Sequence, residues 1–248
     1  MATNKPRRLK WFFLSALVLS AIIFYGWSAR KNYEVKLRQQ IWPATAPEIF
    51  AALQPTTGKK PTVLFFGDSR VAQWRLPELA HWRVVNAGSG GLTTSQVLAS
   101  APKLLEEFRP EAVVLEAGIN DIKFIGLRPD LAAEIISLSI SNLTAVIAEC
   151  GRPHCPIIVL KIWPPSAPSL ARRLIWNEKI PDSVAVVNRQ LEQLNSPGQG
   201  IRVVDLFARA GINFSPELYA DTLHFTPEVY ARLTPVLKSE LDALRAMH

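Results

Sequence analysis

The chain has 248 residues, 48% of them apolar and 20% charged, with a formal net charge of +7. That is a globular balance, and the length suits one good-sized core. The charge is local: residues 1–40 hold eight Lys and Arg against the single acid Glu34, whereas residues 41–248 hold 20 of each sign. The body of the chain is thereby excluded as a basic nucleic-acid binder.

Residues 11–28, WFFLSALVLSAIIFYGWS, carry no charge and have aromatics at both ends. As a helix they would rise about 27 Å at ~1.5 Å per residue, close to the thickness of a bilayer's hydrocarbon core. Trp11 and Trp27 stand where interfacial aromatics belong. No face is polar, which argues against a buried helix of a soluble domain. Two readings stay open: a retained signal-anchor, or a signal peptide cut after Ser28 at a poor Gly26-Trp27-Ser28 site. The length of the apolar stretch favours the anchor. Four basic residues lie on either side, so the positive-inside rule is silent on orientation.

Residues 30–60 read as a linker, charged at first and then punctuated by Pro43, Pro47, Pro55 and Gly58. The expected division is a membrane anchor or signal over 1–29, a linker over 30–60 and a domain over 61–248. Within that domain, short Val- and Ile-rich runs at 62–67, 83–87, 112–117, 156–162 and 201–206 alternate with helical patterns at 93–108, 130–149, 183–195 and 227–246. Thr93 and Thr94 are placed to cap the first of these helices, and Pro227 suits the first turn of the last. Continuous apolar strands separated by helices predict a parallel sheet covered on both faces. The expected fold class is α/β, a three-layer α/β/α domain on a flavodoxin-like five-stranded parallel sheet, preceded by a transmembrane helix. Residues 163–182 break the rhythm and read as an insertion edging a site.

Cys150 and Cys155 bracket Gly-Arg-Pro-His. They could close a small loop in an oxidising compartment, or stay reduced; a metal site on Cys150, His154 and Cys155 lacks a fourth ligand. Asn142-Leu143-Thr144 fits a glycosylation sequon but falls inside a predicted helix. The expectation is a single-pass membrane protein with a periplasmic or extracellular domain, the alternative being secretion after cleavage.

In open parallel sheets the chemistry lies at the carboxyl ends of the strands. Gly67-Asp68-Ser69-Arg70 follows the first, NAGSGGLTT (86–94) the second, GINDI (118–122) the third, and DTLHFTP (221–227) lies after the fifth. Each alone is an ordinary turn; four on one sheet are hard to assign to turns. Serine needs a base within hydrogen-bond reach, and the imidazole of His224 suits that task at neutral pH. Asp221, three residues earlier, can project on the same side and hold the imidazole in one tautomer. Helix capping is the plain alternative for Asp221. The Gly-x-Ser-x-Gly elbow, the phosphate-loop Lys-Ser/Thr and a Rossmann fingerprint after the first strand are all absent.

Over residues 61–235 the four blocks resemble those of the SGNH/GDSL hydrolase superfamily. The resemblance implies Ser69 as nucleophile, Asp221 and His224 as its partners, and an oxyanion hole from the Ser69 backbone, Gly91 (Gly90 being a near alternative) and Asn120. It implies no metal and no organic cofactor. Asp68 and Asp121 are expected to hold their loops. The family often has leucine where this chain has Arg70. That cation is expected either near an anionic or sugar-bearing substrate or paired with an acid such as Glu116 or Asp121. Trp163 and Trp176 of the insertion are expected to line an acyl or sugar pocket or to cover the sheet.

Three functions remain in view. The first is a serine esterase for an acetyl or short acyl ester. The second is a carbohydrate O-acyltransferase or deacetylase on envelope or extracellular polysaccharide. The third is a tethered, non-catalytic binding domain. Expected partners are a small-molecule or glycan ester and the membrane through residues 11–28; oligomeric state is not readable.

Overall fold

The structure is a computed structural model, described for residues 5–42, 60–76, 79, 81–151, 155–170 and 172–245. It opens with one 37-residue helix, α1 (Lys5–Ile41). Five strands follow: β1 (Thr62–Gly67), β2 (Arg83–Gly88), β3 (Ala112–Glu116), β4 (Ile157–Leu160) and β5 (Ile201–Val204). Interleaved with them are α2 (Ser69–Ala72), α3 (Thr94–Phe108), α4 (Ile119–Ile122), α5 (Ala132–Gly151), α6 (Lys179–Glu192), α7 (Leu206–Arg209) and α8 (Pro227–Arg245).

The strands form one parallel sheet in the order β2-β1-β3-β4-β5, the expected flavodoxin-like arrangement. Alternation along the strands feeds two cores. Leu64, Phe66, Val113 and Leu115 pack against α3, α5 and α6 on one face. Val63, Phe65, Val114 and Ile158 pack against α8 and an aromatic layer on the other. Both faces are dry, which is why the strands read as continuous apolar runs.

The chain leaves the sheet to opposite sides from β1 and β3, so the gap between their carboxyl ends is the topological switch point. Gly67 pairs with both Gly88 and Glu116, bringing three strands to a stop at the same height. A Cβ on Gly67 would lie 1.9 Å from the Glu116 carbonyl oxygen, and its φ of +156° also favours glycine.

Three parts differ from expectation. Residues 30–41, expected to begin a linker, continue α1 without a break, and Leu37 and Ile41 are buried in the domain. The backbone of that stretch gains a partner as well, since Thr93 Oγ1 donates to the Gln40 carbonyl at 2.7 Å. Helix α6 begins inside the expected insertion; Pro181 lies in its first turn, where a missing N–H is tolerated. The short α7 was not foreseen; it is started by Asp205, which accepts from Ala208 N at 3.0 Å. Thr93 does cap α3, in a capping box with Gln96.

Cys150 and Cys155 are free and buried, and burial pushes both thiols up to about 12; His154 lies outside the described residues. Asn142 is buried and donates to Thr94 Oγ1 and Ser95 Oγ, at 3.1 and 2.9 Å, so the sequon side chain has a structural use.

Replacing Gly67 with Ala should cost about 2–4 kcal/mol, because an overpacked contact and a strained φ coincide there. Urea unfolding of the full chain in nonionic detergent measures this; an unchanged midpoint would contradict the tight β1–β3 junction.

Candidate active site

The nucleophile candidate is set by local backbone chemistry. Asp68 follows Gly67 in extended conformation and accepts from Arg70 N at 2.9 Å, capping the single turn α2. That turn lifts Ser69 off the end of β1. Asn86 ties the same turn to β2: its Nδ2 donates to the Val71 and Trp74 carbonyls at 3.0 and 3.3 Å, and its Oδ1 accepts from Gly88 N at 2.9 Å.

The loop before α8 carries the candidate base, His224. Asp221 Oδ1 accepts from Leu223 N and His224 N at 2.7 and 3.0 Å, folding the loop back on itself. Its other oxygen, Oδ2, lies 2.7 Å from His224 Nδ1. On the far side of the ring, His224 Nε2 lies 2.8 Å from Ser69 Oγ. Partial burial raises the Asp221 pKa, but the hydrogen bonds from His224 and the two backbone amides outweigh it and draw the carboxyl to about 2. Asp221 is therefore ionised wherever the imidazole needs a negative partner. The amides it accepts from belong to its own loop, ahead of α8 at Pro227, so Asp221 folds the loop and holds the ring and is not seen in the helix-capping role.

Two further loops supply donors. Gly90 and Gly91 follow β2, and Gly91 adopts φ +80° with open space where a Cβ would be. Only glycine takes that conformation at no steric cost. Asn120, in the one-turn α4, is buried. Its Nδ2 donates to the Leu92 carbonyl at 2.9 Å, and its Oδ1 accepts from Lys123 Nζ at 2.6 Å. The amide is thus clamped on both sides, with its second N–H uncommitted. Asp121 locks these two loops together, accepting from Thr94 N at 2.9 Å and Thr94 Oγ1 at 2.7 Å. Burial raises Asp121 to about 6, although the Thr94 hydrogen bonds oppose the shift.

Ser69, Gly90, Gly91, Asn120 and His224 all line one cleft of about 560 Å³. The structure thus brings together the serine, the glycine, the asparagine and the histidine of the four blocks. It also adds residues that sequence reasoning missed, Tyr33 from α1, Lys123 and Arg172, and it places Trp176, expected either to line a pocket or to cover the sheet, in the cleft. Lys123 carried a signal, since three residues after Asn120 places it on the same side of a helical turn. Tyr33 carried none, because nothing in the sequence announces that α1 reaches the site.

Arg70 and Trp163 are not beside the substrate, which corrects the substrate-proximal reading of both. Arg70 is 0% exposed. Its Nε donates to the Leu223 carbonyl at 3.0 Å and its Nη1 to the Trp163 carbonyl at 2.6 Å. The guanidinium lies 3.5 Å from Glu116 and packs over the rings of Trp163 and Phe225 at 5.9 and 5.7 Å. Trp163 is the hub of an aromatic layer with Trp74, Phe207, Phe225 and Tyr230. The cation turns inward because a buried acid pair is waiting for it. Burial raises both Asp68 and Glu116, and the charge of Asp68 pushes Glu116 higher still, well above the usual carboxylate range. Arg70 is thus the cation that the two buried acids share.

Arg70→Leu should lower the unfolding free energy by about 3–5 kcal/mol, the cost of stranding a buried charge. Denaturant melts would read this, and a loss below about 1 kcal/mol, the range of a surface charge, would contradict the buried placement.

The geometry can be set beside known proteins. The profile of the GDSL-like lipase/acylhydrolase family matches residues 56–232. The chain is 27% identical over 118 residues to an arylesterase of Vibrio mimicus, covering 42% of this chain and 56% of the relative. It is 32% identical over 100 residues to thioesterase 1/protease 1/lysophospholipase L1 of Escherichia coli K12, covering 36% and 48%. The chain therefore spans about half the length of the curated relatives it matches. Among solved structures, a GDSL-like lipase from Bacteroides thetaiotaomicron superposes with a TM-score of 0.60 at 21% identity, over 80% of this chain and 94% of the other. The native aryl esterase of M. smegmatis gives 0.58 at 16% identity, over 74% and 99%. These likenesses bear out the fold, and the profile match over well more than half the sequence settles the family: the chain belongs to the GDSL-like lipases and acylhydrolases.

Proposed function

We propose that the protein is a serine-dependent carboxylic ester hydrolase acting on acetyl or short acyl esters. The observation that carries this is the unbroken relay from Asp221 Oδ2 to His224 Nδ1 (2.7 Å) and from His224 Nε2 to Ser69 Oγ (2.8 Å), opening on a lined cleft.

The chemistry follows from the positions. Ser69 Oγ adds to the ester carbonyl carbon as His224 Nε2 takes its proton. The carbonyl oxygen becomes an oxyanion, met by the backbone N–H groups of Ser69 and Gly91 and the free Asn120 N–H. Collapse breaks the bond to the alcohol, which leaves with the proton from His224. Water then repeats the cycle on the acyl-serine: His224 takes its proton, the hydroxide adds, and the acid departs as Ser69 regains its proton. Asp221 stays ionised throughout and steadies the imidazolium.

The location proposed is the membrane surface, with residues 11–28 spanning the bilayer and the domain outside the cytoplasm. Side chains such as Trp11, Phe12, Ile22, Phe24 and Trp27 are exposed along α1 with no protein partner to cover them. The α1 segment Lys10–Ile41 reaches a mean hydropathy of 1.9, with none of its apolar window buried. Helix α5 is also long and apolar, but it is packed into the domain through Ile135, Leu143, Val146 and Ile147. Tyr33 lies five residues past the apolar stretch, roughly 7–8 Å along the helix, and it lines the cleft. The reacting centre therefore sits close to the lipid interface.

Transfer of the acyl group to a sugar hydroxyl instead of water would use the same residues. The rings of Tyr33 and Trp176 in the cleft favour that second reading, since flat aromatic faces suit a sugar.

Ser69→Ala should abolish turnover of 4-nitrophenyl acetate with an unchanged melting curve, and wild-type activity in that variant would overturn the assignment. Asp221→Asn should lower kcat by about 10²–10⁴-fold by releasing the imidazole tautomer. A loss under about threefold would show that the carboxylate does not act on His224.

A further inference from the structure

The cleft that holds Ser69, Gly91 and His224 is also lined by Lys123 and by Arg172 of the 172–175 turn. Among the described lining residues these two are the charged ones besides the titratable His224, and none is a carboxylate. Lys123 is largely buried, and one of its three N–H groups is given to Asn120 Oδ1. Among the described residues, Arg172 forms no hydrogen bond and no ion pair, so its whole fork of donors is unassigned.

These two cations are held together at a cost. Burial draws Lys123 down to about 8; the charges of Asp68 and Asp121 resist the shift, while those of Arg172 and of Lys36, on α1, add to it. Two positive side chains from separate elements therefore share the cleft, and Lys36 of α1 adds its charge to the field at Lys123. Asp68 and Asp121 lie behind Lys123 and are already engaged, with Arg70 N and with Thr94. The turn that carries Arg172 is seated closely: a side chain on Gly126 would lie 2.2 Å from the Ile175 carbonyl oxygen, so Arg172 stands on packed backbone beside Lys123's own turn.

We propose that Lys123 and Arg172 form a subsite of the cleft for an anionic group on the substrate, a phosphate or carboxylate, with Tyr33 and Trp176 as its walls. The proposal names the substrate class of the ester hydrolase proposed above and rests on that reading. A phosphate or carboxylate matches the arginine fork and replaces the mutual repulsion of the cations with attraction. Lys123 also touches the asparagine of the oxyanion site, so an anion seated there would sit one residue away from the reacting carbonyl. Both a soluble anionic ester and a lipid with an anionic head present that chemistry.

The test uses the full chain in nonionic detergent and two matched ester pairs. One pair is soluble, 4-nitrophenyl hemiglutarate against 4-nitrophenyl pentanoate. The other is lipidic, a monoacyl phosphatidylglycerol against the monoacylglycerol of the same chain in mixed micelles. In at least one pair the anionic member should have the higher kcat/KM by about tenfold, and Arg172→Gln should erase most of that ratio. Arg173→Gln, one residue along and outside the cleft, should leave the ratio where it is. The pair that responds identifies the source, soluble or lipid. No preference in either pair, or a preference that Arg172→Gln does not move, overturns the proposal. Calorimetry of hexyl phosphate on the Ser69→Ala protein separates this from failure of the esterase reading. Binding that weakens about tenfold in the Arg172→Gln background, with no ester turned over, keeps the subsite and removes the reaction. Absence of binding with ester turnover intact and no anion preference removes the subsite alone.

Discussion

The site depends on one buried cation. Arg70 stands next to Ser69, and its guanidinium donates to the carbonyl of Leu223, the residue before His224. A side chain adjacent to the proposed nucleophile therefore holds the loop that carries the proposed base, although the two lie 155 positions apart in the chain. A second donor from the same group fixes the Trp163 carbonyl at the end of β4's loop. Lysine could keep the charge there, but only a planar fork reaches two carbonyls and an acid from one position. Burying that charge is tolerable because Asp68 and Glu116 share its pocket and because the rings of Trp163 and Phe225 flank it.

The same logic of loops held by buried polar groups extends around the cleft. Asp121 binds the start of α3, Asn120 binds the Leu92 carbonyl, and Asn142 closes on Thr94 and Ser95. The first two join the turn after β3 to the loop after β2, and the third ties α5 to the start of α3, so the switch point is rigid before any substrate arrives. Preorganised donors of this kind raise rate because nothing has to reorganise as the oxyanion forms. Helix α1 is stitched to the same frame through Gln40, Leu37 and Ile41. The segment proposed to cross the membrane and the wall of the cleft are thus one continuous rod.

Much of this was legible in the sequence, for definable reasons. A fully buried parallel strand writes an uninterrupted apolar run, so β1 and β3 were readable nearly to the residue, whereas β4 and β5 end two residues before their apolar runs do. Polar blocks at strand ends are equally explicit, and they pointed to Ser69, Gly91, Asn120, Asp221 and His224. Arg70 was not decided, because a charged letter looks the same whether it faces solvent or a buried acid; only the placement of Glu116 on the neighbouring strand tells them apart. Trp163 and Trp176 were indistinguishable for a similar reason, and the fold put the first under the sheet's aromatic layer and the second in the cleft. The docking of residues 30–41 was hidden by their charges. Lys31, Glu34 and Lys36 look like a solvated linker, while Tyr33, Leu37 and Ile41, spaced four apart, form the stripe that packs on the domain.

At the centre of the account is a serine made nucleophilic by its position at the end of β1. Its most direct measurement is covalent labelling of the full-length protein with a fluorophosphonate, followed by peptide mapping. The account predicts a single adduct on Ser69, formed far more slowly in the His224→Ala protein. A folded protein whose Ser69 stays unlabelled, or is labelled equally fast without His224, would contradict it.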